Sequence, residues 1–416
     1  SIAAAGWMAF TIPKGFFPVE DTGLLSVSTE GPQDISFDDM ATRQTRVAEL
    51  IAASPYVAKV THNIGTSAGG GQAMNQGRMF VELKPRAERP AVGEVVQALR
   101  RQASGVPGMR VFLQPIQNIS FGARQARTLY VYTMQGLRQD ELYDWAGRMT
   151  DRLRALPGLQ DVNNDLQLAS PILQVDVDRD RASNLGVTVD QVRQALYSAF
   201  GARQISTIYG AANSYQVILD VAAINQEDET DLSRIWLRAN TGRLVPLAGI
   251  ATISRRAGPV TVAHQGQLPA VSIGFNTAPG VSLGDATAAI AGVEREAGLP
   301  PSIVTGFTGT AQIFQQALAG QGMLLIAALL VMYVVLGVLY ESLVHPLTIL
   351  SGLPSAAAGA LATIWLFGMD LSVIAVIGVL LLIGLVKKNA IMIVDVALHR
   401  QRAGAAPLHA VREACL

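Results

Sequence analysis

Between Gly384 and Asp395 the chain sets Lys387, Lys388, Asn389 and Asp395 into a run that is otherwise apolar, and Leu371 to Val386 just before it carries no charge. Ammonium, amide and carboxylate groups in such a run can pair with buried ions, pass protons or switch a contact between helices. A charge at the centre of a bilayer costs about 3 kcal/mol on insertion scales, so it is kept where a neighbouring helix supplies its partner. A second reading stands beside this one. A helix from Leu371 to Leu398 would be roughly 40 Å long at ~1.5 Å per residue, longer than a hydrocarbon core of about 30 Å. A lysine about ten residues from its end can then carry its ammonium to the interface along its own alkyl stem. Both readings stay open for Lys388, and snorkelling is favoured for one member of the pair. Adjacent side chains on a helix lie about 100° apart, so Lys387 and Lys388 point different ways. Asp395 falls on roughly the same face as Lys388 two turns later and reads as a cytoplasmic-end residue.

Other chemistry is scarce. The single cysteine, Cys415, leaves no disulfide or thiolate site, and His62, His264, His345, His399 and His409 show no ligand spacing, so neither a metal nor a cofactor is expected. No P-loop occurs and the net charge is zero, which argues against a nucleic-acid partner. A membrane enzyme such as an intramembrane protease is disfavoured, since no span carries a His-Glu-x-x-His, Ser/Lys or paired-Asp arrangement. Half of the residues (50%) are hydrophobic, only 15% are charged, and mean hydropathy is +0.31. The charges sit almost entirely in the first three quarters, so the chain is built for two solvents.

The elements that must position the lysines follow from this split. Gly322–Tyr340 and Pro346–Met369 are also free of charge, which gives membrane spans over 320–341, 346–368 and 371–398. The basic tail His399-Arg400-Gln401-Arg402 places 399–416 in the cytoplasm by the positive-inside rule. The region upstream of the spans then lies across the membrane, in a bacterium the periplasm. Residues 1–12 read as the tail of a transmembrane helix, stopped by Pro13-Lys14-Gly15-Phe16-Phe17-Pro18, and the chain as a piece of a longer one.

Within 20–120 the pattern is βαββαβ: strands at Leu24–Thr29, Val57–Asn63, Met79–Leu83 and Met109–Gln114, with helices at Ser36–Ala53 and Val92–Gln102. A second unit of the same order spans 125–178 and 265–312. It uses a strand at Leu129–Thr133, a helix at Asp140–Leu156, strands near Leu159–Asn163 and Ile172–Val177, and then Ala270–Phe275, Leu283–Ala297 and Ile303–Phe307. Residues 180–262 interrupt it as an insertion. The fold class expected is α+β: two ferredoxin-like βαββαβ subdomains and an insertion, joined to an all-α polytopic transmembrane bundle.

Pro13-Lys14-Gly15-Phe16-Phe17-Pro18 with Asp21-Thr22-Gly23, Tyr340-Glu341-Ser342 with Pro346, Arg203-Gln204-Ile205-Ser206-Thr207-Ile208-Tyr209, and Gly384-Leu385 with Lys388-Asn389-Ala390-Ile391 resemble the C-terminal half of resistance-nodulation-division (RND) efflux pumps, closest to the AcrB/MdtC-like multidrug type. The resemblance runs through the whole chain in order. It implies an inner-membrane, multi-pass subunit of a proton-driven antiporter, not an enzyme, that confers antibiotic resistance by exporting hydrophobic or amphiphilic compounds such as drugs or bile salts. The subdomains become porter subdomains and the insertion a docking domain.

The partners it implies are two further RND protomers in a homo- or heterotrimer, a periplasmic adaptor protein, an outer-membrane channel, membrane lipid and small-molecule substrates. Lys388, with Asn389 beside it, would serve the proton relay by facing a carboxylate pair on a helix outside this chain, and Lys387 would face elsewhere. Substrate would meet the cleft between porter subdomains at Thr66 and Ser67, where related pumps carry phenylalanines, and at Tyr130 and Tyr132, which share a strand face. A plain hairpin loop and a core aromatic pair are the bland alternatives at these positions. A non-transporting relative in lipid handling or sensing, and a metal exporter using Met74 and Met79, are the alternative functions.

Overall fold

The computed structural model describes residues 2–65, 73–119, 127–222, 228–259 and 261–415. The chain divides into two compact units, one made of 1–166 with 262–416 and the other of 167–261. In the first unit, helix α1 (Ile2–Thr11) leads into strand β1 (Leu24–Glu30), helix α2 (Phe37–Ala52), strands β2 (Val57–Ile64) and β3 (Gln76–Leu83), helix α3 (Val92–Ala103) and strand β4 (Arg110–Pro115). The strands form one antiparallel sheet in the order β2-β3-β1-β4, with Val27 opposite both Met79 and Leu113. Ser36 caps α2 by accepting from the Asp39 N–H, and Asp38 and Asp39 fill its first turn, where the helix dipole favours negative charge. Met40, Gln44, Val47, Ala48 and Ile51 recur at helical spacing and bury one face of α2 on the sheet. Gly77 is required under that face, because a Cβ there would sit 2.7 Å from the Gln44 and Thr29 side chains.

The second lobe of this unit begins with β5 (Tyr130–Gly136), helix α4 (Gln139–Arg154) and β6 (Leu159–Asn164). The chain then leaves it for the second unit: β7 (Ser170–Val177), α5 (Arg179–Asn184), α6 (Val189–Phe200), β8 (Arg203–Tyr209), β9 (Ser214–Leu219), β10 (Trp236–Arg238), β11 (Leu244–Pro246) and β12 (Ala251–Gly258). It returns with β13 (His264–Gln265), β14 (Leu268–Thr277), α7 (Leu283–Ala297) and β15 (Ile303–Thr308). Here the strand order is β13-β14-β5-β15, with β6 also on β14, so the repeated strands β6-β14-β5-β15 follow the same path as those of the first lobe. The two lobes keep separate apolar cores, one around Leu25, Val27, Val81 and Leu99, the other around Tyr132, Met134, Ile273 and Phe275. Between them run ion pairs: Arg100 of α3 meets Asp161 of β6 at 2.5 Å, and Arg127 meets Glu30 of β1 at 3.0 Å.

The strand at Ile172–Val177, expected in the second lobe, is elsewhere. Among the described residues it pairs, as β7, with β12 alone, over Ser170–Val177 against Gly258–Ala251, inside the second unit. A strand's amino-acid pattern records that it is half-buried but not which partner it has. That unit has its own core of Ala182, Val187, Val192, Leu237 and Leu247. Its β8–β9 hairpin is apolar and open, with Ile205, Ile208, Tyr209, Tyr215, Ile218 and Leu219 exposed.

Helices α8 (Thr310–Tyr340), α9 (His345–Leu350), α10 (Leu353–Leu366), α11 (Val373–Arg402) and α12 (Pro407–Cys415) complete the first unit. Among the described residues three stretches are long and apolar enough to cross a membrane: 310–340, 345–366 and 373–402. The middle one is not a continuous helix, as the charge-free run implies, but breaks at Ser351–Gly352. Pro354, in the first turn of α10, has no N–H to give and its ring would clash with the carbonyl of Leu350, so the helix restarts there.

Candidate functional site

Helix α11 carries the lysines, and its start is well fixed. Ser372 caps it by accepting from the Ala375 N–H at 3.2 Å, and His399, Arg400 and Arg402 close its C-terminal turn, where the dipole favours cations. Lys387 and Lys388 lie near the middle of the helix and differ sharply in surroundings. Lys387 is 3% exposed, and its Nζ has no hydrogen-bond partner among the described residues, whereas Lys388 and Asn389 are exposed. The 100° offset therefore turns one ammonium inward, on the side of this chain's own helices, and the other outward. One turn beyond Lys387, the Tyr340 hydroxyl of α8 donates to the Ile391 carbonyl of α11 at 3.4 Å, which ties the two spans. Asp395 is exposed on α11.

The residues expected at a substrate cleft are not brought together. Thr66 and Ser67 lie outside the described residues. Tyr132 is 1% exposed and belongs to the second lobe's core, edge-on to Phe307 with ring centres 5.4 Å apart. Burial raises its phenol pKa, and Glu294, hydrogen-bonded to Thr305, adds to the effect. A side chain enclosed in this way offers no surface to a ligand, so the expectation that Tyr132 lines the cleft is replaced by core packing. Its aromatic body fills volume opposite Ile273, as a cross-strand pair does. Tyr130 on the same face is half-buried and tilts over Phe275 at 5.6 Å. Desolvation raises its pKa, with a smaller contribution from the charge of Asp370.

A metal-ligand reading of the methionines also fails on geometry. Met79 is fully buried in the first lobe's core while Met74 is 65% exposed, so the two do not form a joint ligand set. Among the described residues no group of His, Cys, Asp and Glu is arranged to hold a metal ion.

Sequence reasoning passed over the polar joints. Asp161 stands in the left-handed region (φ 56°), accepts from Arg100 and from Asn276 Nδ2 (2.8 Å), and so ties α3 to β6 and β14. Asp21 and Arg89 form a nearly enclosed pair, in which the guanidinium beside Asp21 holds its carboxyl below the usual carboxylate range. The only sequence signal for the second joint is Asp21-Thr22-Gly23, a turn motif close to the aromatic segment.

Two solved structures with this fold are described as crystal forms II and I of a heavy metal efflux pump. They match at TM-scores of 0.83 and 0.82 with 22% and 21% identity, over 95% and 99% of this chain. The chain spans 42% and 44% of their respective lengths. At that identity the likeness carries the fold and not the substrate. The model of the AcrB/AcrD/AcrF family matches residues 1–416. Two porter-like lobes, apolar spans and a lysine-bearing helix thus fit one assignment, and the chain belongs to the AcrB/AcrD/AcrF family of RND membrane transporters.

Proposed function

We propose that this chain forms part of an inner-membrane, proton-driven exporter of hydrophobic or amphiphilic compounds, with Lys388 in the proton relay and Asn389 beside it. The observation that supports this is the contrast at Lys387 and Lys388: the outward ammonium is the one free to meet carboxylates from outside the chain. In low dielectric an ammonium and a carboxylate attract strongly, and protonating the carboxylate removes most of that attraction. A helix packing with two arrangements can then be tipped by one proton. On this reading the lobes are ferredoxin-like porter subdomains, residues 180–262 make up most of a periplasmic docking domain, and substrate passes between the lobes near Tyr130, Thr66 and Ser67. The open β8–β9 hairpin suits contact with a second or third protomer or with an outer-membrane channel, and a periplasmic adaptor completes the assembly.

Metal export is the second reading, favoured by the description of the two fold neighbours as heavy metal efflux pumps. One experiment separates the two. The full-length transporter is expressed in efflux-deficient cells, and accumulation of ethidium, of a bile salt, and of zinc and copper is measured. The proposal expects lower accumulation of the organic probes, abolished by Lys388→Ala at unchanged membrane level. Normal export in that variant would sink the relay role, and lowered metal alone would select the second reading.

A further inference from the structure

The segment Pro13–Phe17 is lashed to three different parts of the first unit. The Leu371 N–H donates to the Pro13 carbonyl at 2.8 Å and the Val373 N–H to the Phe16 carbonyl at 3.3 Å, so the segment holds the start of α11. The Gly284 N–H, in the first turn of α7, donates to the Lys14 carbonyl at 3.0 Å. Phe16, 5% exposed, is sunk in the second lobe's core and meets Phe17 edge-on at 4.6 Å and Phe314, at the start of α8, at 6.1 Å. Gly15 is buried between these ties, and a Cβ there would lie 2.7 Å from Asp370 Cβ and Oδ2, in the turn just before α11. Only a residue without a side chain leaves room there for the Asp370 side chain.

We propose that Pro13–Phe17 is a strap that transmits displacement of α11, and so of Lys388, to the second lobe, with Gly15 and Gly284 as its positioning residues. This deepens the relay reading and rests on it. The physical case is one of stiffness. Three backbone hydrogen bonds within five residues tie the segment to α11 and α7, the aromatic anchor sits in a close-packed core that moves as a body, and Gly15 and Gly284 leave no room for a methyl group. A shift at the start of α11 must move Pro13 and Phe16, and with them the first turn of α7 in the lobe that holds Tyr130 and Tyr132. An ordinary loop would absorb the same shift by bending.

The test uses the full-length transporter in lipid nanodiscs, with hydrogen–deuterium exchange read on peptides covering α7 and β15. In the parent, Lys388→Ala is expected to change exchange in these peptides by at least threefold. In Gly15→Ala the same Lys388→Ala change should leave them unaltered, with assembly at the parent level. The pair Gly15→Ala/Asp370→Gly, which removes the obstructing side chain, should restore the response. If Gly15→Ala does not accumulate, Gly284→Ala serves instead, since its Cβ would meet Lys14 at only 3.0–3.2 Å and the strap can shift without unfolding the lobe. Should lobe exchange follow Lys388→Ala equally well with Gly15→Ala or Gly284→Ala present, the strap is overturned. If Lys388→Ala changes nothing in the parent, the relay reading fails and takes the strap with it.

Discussion

Replacing Arg89 by alanine should be among the most damaging single changes in the first lobe, although the residue touches no proposed substrate. Its side chain is 2% exposed and that of Asp21 13%, with Nη2 to Oδ1 at 2.5 Å and Nη1 to Oδ2 at 2.9 Å. Nε donates to the Lys84 carbonyl at 2.7 Å and Nη1 also reaches the Pro90 carbonyl at 3.3 Å. Removing the guanidinium leaves a largely enclosed carboxylate with the 3.3 Å Gly23 N–H but no counter-ion, and takes a donor from the Lys84 and Pro90 carbonyls, a loss of about 3–5 kcal/mol when one partner of a buried pair is deleted. At ~1.4 kcal/mol per decade that opens the lobe about two to four decades more often. The pair Arg46–Glu49 on α2, 3.1 Å long with both side chains about 60% exposed, is the internal control and should contribute roughly 1 kcal/mol or less. The assay is hydrogen–deuterium exchange on β1, β3 and α3 peptides of the intact transporter. The double variant Asp21→Leu/Arg89→Met should recover the part of the loss that comes from the unpaired carboxylate, because a packed apolar pair replaces the ions, while the Lys84 and Pro90 carbonyls stay without Arg89. The pH dependence has a definite sign. The folded-state pKa of Asp21 is depressed, so its contribution is present above the ordinary carboxyl value of about 4 and is lost as pH falls through the lower folded value. Equal exchange in Arg89→Ala and Arg46→Ala would refute the reasoning.

Tyr132→Phe should leave both exchange and the substrate profile near the parent, whereas Tyr132→Ala should destabilise the second lobe by about 3–5 kcal/mol, as aromatic truncations in cores do; a changed substrate range in Tyr132→Phe would reopen a cleft role. Arg100→Ala should speed exchange in the β6 and α3 peptides together without affecting the α2 core, since it cuts the 2.5 Å tie between lobes and not the packing within either. Asp161→Asn, which keeps a residue tolerant of the left-handed region and a partner for Asn276, should show a milder effect than Asp161→Ala. Pro354→Ala should slow exchange at Gly352 and Leu353 by letting the middle span close its hydrogen bonds; unchanged exchange there would mean that Gly352 alone breaks it.

The alternation of the first lobe was legible because it reduces to a periodicity, and the spans because they are long runs without charge. Ser36 before Asp38 and Asp39 announces α2, and Met40, Val47 and Ile51 announce its buried face. The charge-free runs announced α8 and α11 by sheer apolar length. Partnership was not legible. Nothing in Ser170–Val177 says that its neighbour is Ala251–Gly258, more than seventy residues on, and nothing in Arg100 says that it will meet Asp161. The break at Pro354 does not show in the even hydropathy of Pro346–Met369, because a missing donor acts locally whatever the surroundings. At the site, the angle between Lys387 and Lys388 followed from helix geometry. Which of them faces inward required the positions of the other spans.

The separation of the two lobe cores has a consequence for how variation accumulates here. Substitutions whose side chains share no partners combine additively, while those in one packed cluster do not. Leu25, Val81 and Leu99 should therefore show strong epistasis among themselves and almost none with Met134, Ile273 or Phe275. In a pairwise substitution scan the region would resolve into two independent blocks. Each lobe can thus be redesigned, or drift, while the other stays at its original composition, provided the few charged residues on the seam are left in place.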